Sequence, residues 1–183
     1  MPLTDEIRDT LTMTDEDAAL SDMPGVRPGE ERMPAPPEAK DAGLCFIGHA
    51  ETPWETRSDA PRNAMGSDVV CTLHIRPEFR PALQSLDGTT QIIVLYWLHN
   101  ARRDLLIQKP AHSDKVRGTF ALRSPNRPNP IGLSVCNLLS IDQDKGLLAI
   151  RHIDCLNGTP ILDIKPYFAS VDSKPDAKVS WAK

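Results

Sequence analysis

The sequence predicts a mainly β domain that closes its sheet on itself, with one or two short helices and no Rossmann-type α/β core. Three observations carry this. About six or seven short runs rich in β-branched and apolar residues recur between positions 43 and 167, with turn-forming residues between them. No long amphipathic helical period alternates with those runs, as a doubly wound sheet would require. The chain also lacks a Gly-x-Gly-x-x-Gly fingerprint, a Gly-x-x-x-x-Gly-Lys-Ser/Thr phosphate loop and a Gly-x-Ser-x-Gly elbow.

Residues 1–40 hold six prolines, no aromatic residue and ten acids against four bases. Thr4 to Leu20 reads as a weak acidic helix and Ser21 to Lys40 as linker. Residues 1–41 are therefore expected to form a flexible or partly helical extension outside the core. The first strand is expected in Gly43–Ala50 and the second in Val69–Ile75, with polar, irregular chain between them. Pro77–Leu86 reads as a helix of about two or three turns, with proline in its first turn and Asp87-Gly88 as its stop.

Thr89–His99 is the most β-like run, and its unbroken apolar character predicts a strand buried on both faces. Tyr96 and Trp97 are expected in the core. Residues 104–116 read as loop. Ile131–Ile141 and Leu147–Ile153 read as strands joined by a hairpin turn at Asp142–Gly146. Asn157-Gly158 marks a further turn, Pro160–Tyr167 a last extended segment, and Val171–Lys183 a polar tail. Asp163, Lys165 and Tyr167 alternate with apolar neighbours and share one strand face, which predicts a local Asp-Lys pair.

Between the two central strands lies the most distinctive stretch. Arg117–Ser134 sets Arg117, Arg123 and Arg127 among three prolines, and no acidic residue occurs from Lys115 to Ile141. Proline fixes its own φ and pushes the preceding residue towards extended backbone, so the segment is expected to be stiff, extended and non-helical. Guanidinium forks on such a loop suit a carboxylate, a phosphate or a nucleotide; an exposed turn with solvated arginines fits the same pattern.

The net charge of −4 is unevenly distributed. Beyond residue 40, fifteen acids face seventeen bases, a near-neutral body compatible with nucleic-acid contact. Apolar runs fall short of the ~18 residues that span a membrane, and the N-terminus lacks the basic and apolar regions of a secretory leader. The four cysteines are widely spaced, and three stand in apolar runs. Buried free thiols in a reducing cytoplasm are expected, without a structural metal. His49, His112 and His152 each precede a carboxylate by two residues. His152 and Asp154, read as the end of a strand, would share a face, as a metal pair, an acid/base pair or an ordinary strand-end hydrogen bond. His99 closes the central strand as a structural or a site residue.

Three stretches together resemble one family. Arg117–Ser134 resembles its Arg-Gly-x-Phe-Ala-x-Arg-Ser-Pro-x-Arg-Pro-Asn-Pro-Ile-Gly-Leu-Ser motif. Asp154–Tyr167 resembles its Asp-x-Leu-Asp-Gly-Thr-Pro-x-Leu-Asp-Ile-Lys-Pro-Tyr motif. Phe46–Gly48, Pro61–Arg62 and Ile92–His99 fit its looser blocks. The family is TrmO, also called TsaA-like or YaeB-like: S-adenosylmethionine-dependent methyltransferases of N6 in the threonylcarbamoyl-modified adenosine beside the tRNA anticodon. The likeness covers about residues 43–172.

The resemblance implies a small β-barrel spanning 42–172, followed by a tail at 173–183, that works in the cytoplasm as a homodimer with tRNA. The cofactor contacts it implies are Pro61, Arg62, Asn63, His99, Asn100, Arg123, Leu133, Arg151, His152, Ile153 and Asp154. S-adenosyl-L-methionine offers a carboxylate to an arginine, ribose hydroxyls to a carboxylate such as Asp154, and an adenine to apolar packing against Leu133. Arg117, Arg127 and Lys165 are the candidate RNA contacts; no metal and no catalytic base are assigned. The chain has Asn63 where the family usually has Gln, and Asn157 where it has Asp. A cofactor-binding module without catalysis, or methylation of another RNA or small molecule, are the alternatives.

Overall fold

The computed structural model describes residues 26–33, 42–61, 63–111 and 113–181. Among these the strands are β1 (Glu31–Arg32), β2 (Gly48–Glu51), β3 (Cys71–Ile75), β4 (Gln91–Trp97), β5 (Leu105–Gln108), β6 (Arg117–Gly118), β7 (Ile131–Asp142), β8 (Leu147–Arg151) and β9 (Pro160–Pro166). They form two compact units. One comprises Asp41–His99 with Ile131–Lys183, and the other Asn100–Pro130 with the described part of Met1–Lys40.

The first unit is a closed antiparallel barrel in the order β2-β3-β8-β7-β4-β9, with β9 returning to β2. Strand alternation fills it. Cys71, Leu73 and Ile75 of β3, Ile92, Val94 and Tyr96 of β4, Cys136 of β7, and Leu148 and Ile150 of β8 all point into one core. Each such aliphatic side chain contributes roughly 1.5–3 kcal/mol through its removal from water. Val94 pairs with Ser134 and Tyr96 with Gly132, which puts those two β7 residues on the inner face. The free thiols Cys71, Cys136 and Cys155 are buried and Cys45 is exposed. Burial pushes the Cys71 thiol up to about 11 and Cys155 up to about 12. These thiols stay protonated and act as small apolar fillers.

Several elements depart from expectation. β4 is enclosed on its inner face, while Ile93, Leu95 and Trp97 are half-buried on the other. Both of its edges are paired, to β7 and to β9, and a barrel wall needs only one dry face. Pro77–Leu83 forms a 3₁₀ helix, followed by Ser85 at φ 66° and a second 3₁₀ turn at Leu86–Gly88. Pro81 inside the segment removes a backbone donor and crowds the preceding turn, so no α-helix propagates. A single α-helical turn, α1 (Ala169–Asp172), stands at the start of the expected polar tail; Asp172 Oδ2 accepts the Phe168 amide at 2.8 Å.

The second unit contains the sheet β1-β5-β6, in a region read from sequence as loop and linker. Residues 26–33 are part of it. Glu31 and Arg32 pair with Ile107 and Leu105. The buried Glu30 carboxylate accepts the Lys109 amide at 2.7 Å and the Arg27 amide at 3.0 Å. Arg32 and Arg102 both reach the buried Asp104, at 3.0 and 2.8 Å. The Arg102 hydrogen bonds hold the Asp104 carboxyl below the usual carboxylate range. Its stabilising contribution is therefore present above the unfolded carboxyl's pKa and is lost as pH falls through the depressed folded value. Residues 26–33 thus dock by polar contacts, which composition and hydrophobic period do not register.

The docking predicts that Glu30→Ala leaves the Lys109 amide buried without its acceptor, at a cost of about 1–3 kcal/mol to this unit. Hydrogen exchange should then quicken at Lys109 and Ile107 and stay unchanged in β3 and β8; unchanged protection at Lys109 would show that Glu30 holds nothing.

Candidate functional site

Three polar side chains meet at one place in the barrel interior. Tyr96, inward on β4, donates its hydroxyl to Asp154 Oδ1 at 2.7 Å, and its oxygen lies 3.0 Å from Ser134 Oγ. Ser134 in turn donates to the same carboxylate oxygen at 3.4 Å. Burial first, and then the charge of Asp154, raise the Tyr96 phenol well above its usual range. It therefore remains a donor. Both described donors meet Oδ1, and a carboxylate has about four lone-pair sites; among the described residues none donates to Oδ2.

The backbone that delivers Asp154 is strained. β8 ends at Arg151, and His152 follows at φ 68°, a left-handed conformation that non-glycine residues seldom adopt. His152 and Asp154 are thus not alternating strand residues, which corrects the shared-face reading. The His152 imidazole lies 3.7 Å from the exposed Asp68, and its carbonyl accepts the Cys136 thiol at 3.4 Å. After this turn, Ile153 inserts fully into the core while Asp154 meets Tyr96 and Ser134. Opposite, Gly132 leaves space that the Tyr96 ring takes up: a Cβ there would lie 2.0 Å from Cε2.

In the other unit, hydrogen bonds hold the arginine-proline stretch. The buried Gln108 amide donates to Asn126 O at 2.6 Å and Thr119 Oγ1 at 2.7 Å, and Thr119 donates to Leu105 O at 2.8 Å. Arg103 Nε donates to Pro128 O at 2.7 Å, and the Arg127 amide to Arg102 O at 3.0 Å. The stretch is not wholly extended, because Thr119–Ala121 forms a 3₁₀ turn upstream of the first proline. Arg127 does not reach outward: its Nη1 donates to Leu122 O and Ser124 O, at 3.3 and 3.4 Å. Arg117 is likewise engaged, with Ser113 Oγ at 3.0 Å, and Lys165 pairs with Asp163 at 2.7 Å.

The residues named from sequence divide between the two units. Pro61, Asn63, His99, Leu133 and Arg151–Asp154 belong to the barrel unit, and Asn100 and Arg123 to the other. Arg62 and His112 lie outside the described residues. Leu133 and Ser134 are consecutive on β7 and face opposite ways, Leu133 44% exposed and Ser134 buried. Asn157 suits its surroundings: its amide donates to Glu55 at 2.9 Å and its oxygen accepts the Thr52 amide at 3.2 Å, whereas an aspartate there would oppose Glu55. Sequence reasoning missed Tyr96 and Ser134 as polar partners, because an alternating apolar run gives no hint of a hydroxyl's target. A shallow depression of about 280 Å³, lined by Glu51, Thr52, Pro53, Val69, Val70 and Thr72, contains none of these residues. Among the described residues no cluster of three or more His, Cys, Asp or Glu is arranged to hold a metal, and no helix is long and apolar enough to cross a membrane.

Fold and site together define a six-stranded antiparallel barrel with a carboxylate held at the end of one strand by hydroxyls from two neighbouring strands. Residues 49–173 match the family described as tRNA-methyltransferase O N-terminal domain. The chain belongs to this TrmO family. It is 42% identical over 130 residues to a probable S-adenosyl-L-methionine-binding protein, VirR, of Rhizobium radiobacter, covering 71% of this chain and 73% of that protein. It is 30% identical over 146 residues to the tRNA (adenine(37)-N6)-methyltransferase of Escherichia coli K12, covering 75% and 62%. The crystal structure of TrmO from Pseudomonas aeruginosa superposes with a TM-score of 0.63 at 30% identity, over 78% of this chain and 63% of that one. The chain thus spans less than two thirds of the solved TrmO chain.

The strain at His152 makes a prediction. His152→Gly, free of the left-handed penalty, should keep its melting temperature, whereas the β-branched His152→Val should lose about 1–3 kcal/mol. Thermal unfolding of both variants checks this; equal losses would place the effect in the imidazole instead of the backbone.

Proposed function

We propose that this protein binds S-adenosyl-L-methionine at the barrel and transfers its methyl group to N6 of adenosine 37 of tRNA, with the threonylcarbamoyl-modified base as substrate. The observation that carries the reading is Asp154, the first residue of the second long motif, fixed at a strand end with one carboxylate oxygen without a described donor. The donor set fits the cofactor, since a half-buried carboxylate accepts the hydroxyls of a ribose and an exposed leucine packs an adenine. Asp154, Leu133, His99, Arg151 and the His152 and Ile153 backbone are the barrel's proposed contacts, with Pro61 and Asn63 beside them on the motif; Arg62, Asn100 and Arg123 rest on the motif alone.

When bound, the cofactor supplies an electrophilic methyl group on a sulfonium. The chain's part is to hold and orient, because a methyl transfer gains most of its rate from in-line placement of the acceptor. Arg117, Lys165 and the arginine-proline stretch are the proposed phosphate contacts; Arg127 supports that stretch from within. A tRNA substrate implies a cytoplasmic protein. Outward on the barrel wall, Trp97 pairs with Ile131 and Leu95 with Leu133, and Ile131 and Leu133 are 42% and 44% exposed. A second copy covering this strip would bury it, and a homodimer is the proposed assembly.

A binding module without catalysis is the second reading. It is favoured by the relatives from R. radiobacter and Archaeoglobus fulgidus, each 42% identical, which are described as probable S-adenosyl-L-methionine-binding proteins. Nucleoside analysis of tRNA from a strain lacking the protein separates the two. Loss of N6-methyl-threonylcarbamoyladenosine, restored by the purified protein with S-adenosylmethionine, is the expected outcome. An unchanged nucleoside profile together with retained cofactor binding would leave the module.

A further inference from the structure

The cluster beneath Asp154 does more than satisfy buried hydroxyls. Tyr96 and Ser134 come from β4 and β7, paired strands whose residues 94 and 134, and 96 and 132, stand opposite each other. Their hydroxyls converge on a single oxygen of Asp154, at 2.7 and 3.4 Å, from a carboxylate that is itself half-buried. Two neutral donors on one oxygen fix the carboxylate's rotation about the Cβ–Cγ bond, which turns the other oxygen into an acceptor of defined direction.

The packing is built for this placement. A side chain at Gly132 would strike the Tyr96 ring, at 2.0 Å from Cε2, and Tyr96 itself is only 3% exposed. The carboxylate is brought to the hydroxyl by backbone held at φ 68° one turn earlier, at His152. Apolar packing alone requires neither the strained residue nor a tyrosine: phenylalanine fills the same volume without a hydroxyl to satisfy. A pair of buried hydroxyls turned onto one carboxylate, next to strained backbone, points to a ligand-facing group.

We propose that Tyr96 and Ser134 are positioning residues that orient the Asp154 carboxylate to accept a pair of neighbouring hydroxyls on the bound ligand, a vicinal diol. The inference rests on the reading of the barrel as an S-adenosylmethionine site, where the diol is the ribose, and it assigns to residues inside the barrel the selection of ribose over deoxyribose.

The test is calorimetric binding of two probes, S-adenosylhomocysteine and its analogue with hydrogen in place of both ribose hydroxyls, to the wild type, Tyr96→Phe and Ser134→Ala. Wild type should bind the analogue at least about tenfold more weakly, the scale of a lost hydrogen bond to a charged group. Tyr96→Phe should raise the Kd for S-adenosylhomocysteine by about tenfold and change that for the analogue by no more than about twofold, because the two losses are coupled. Ser134→Ala should act in the same direction by a smaller factor, and it carries the test if the Phe variant does not fold. Equal penalties on both probes would reduce the hydroxyls to structural supports and overturn the inference while leaving the cofactor reading intact. A wild type that binds both probes equally would do the same. A wild type that binds neither would overturn the cofactor reading and this inference together.

Discussion

Closure of the barrel at β2 and β9 is the constraint on which the rest of this structure depends. The ladder there is short, with Gly48 opposite Ile161 and His49 opposite Pro160. It is extended by the Ile47 amide to Ile161 O at 2.9 Å and the Ala50 amide to Thr159 O at 2.9 Å, and then by the Gly158 amide to Ala50 O at 2.8 Å. On its other side β2 runs close against β3, which Gly48 permits, since a Cβ on it would lie 2.0 Å from His74 O. A sheet closed this way has no unpaired edge. Its core then needs only one apolar face per strand, which suits a chain with 5% aromatic residues.

Closure also determines where the polar chemistry can be. The segment after β8 must pass the end of the barrel to reach β9, and its turn is fixed to the β2 end by Asn157 and Thr52. The preceding residues are drawn inward at Ile153 and Cys155, 1% and 2% exposed, with Asp154 held between them. A half-buried carboxylate in such a place is costly unless hydrogen-bonded. Tyr96 and Ser134 meet that requirement from strands whose register the barrel already dictates. The site is therefore a consequence of strand order, and a one-residue slip of β7 against β4 would remove Ser134 from it.

Legibility in the sequence followed the physics of each element. β3, β4, β7, β8 and β9 announce themselves by short apolar runs and by turn residues such as Asn157-Gly158. Of the two aromatic residues expected in the core, Tyr96 is there, while Trp97 is half-buried on the outer wall because β4 has only one inner face. The Pro77 segment misled because a leading proline and an Asp87-Gly88 stop suit a helix, while Pro81 at its centre allows only 3₁₀ turns. β1 and β5 were invisible for a different reason. Their docking is a matter of Glu30, Asp104 and Gln108 finding partners far away in sequence, and no local pattern encodes that. Of the site, Asp154 was legible through its motif. Its two hydroxyl partners were not, because in sequence Tyr96 is one more apolar position and Ser134 one more small one.

The same distinction explains the arginine-proline stretch. Its composition suggests a surface of free cations, yet Arg127 is spent on carbonyls of its own loop and Arg103 on Pro128 O. A stretch with so many prolines has few amide donors of its own, and its carbonyls need external ones. Arginine, with five donors in a rigid fork, supplies several at once. Part of the positive charge in this motif is thus structural, consumed in holding a proline-rich backbone in place. Residues such as Arg123, exposed and downstream of the 3₁₀ turn, stand on a backbone already held by its neighbours. Arg127 and the Leu122 and Ser124 carbonyls that it holds lie within one motif, so the brace and the backbone that it braces occur together.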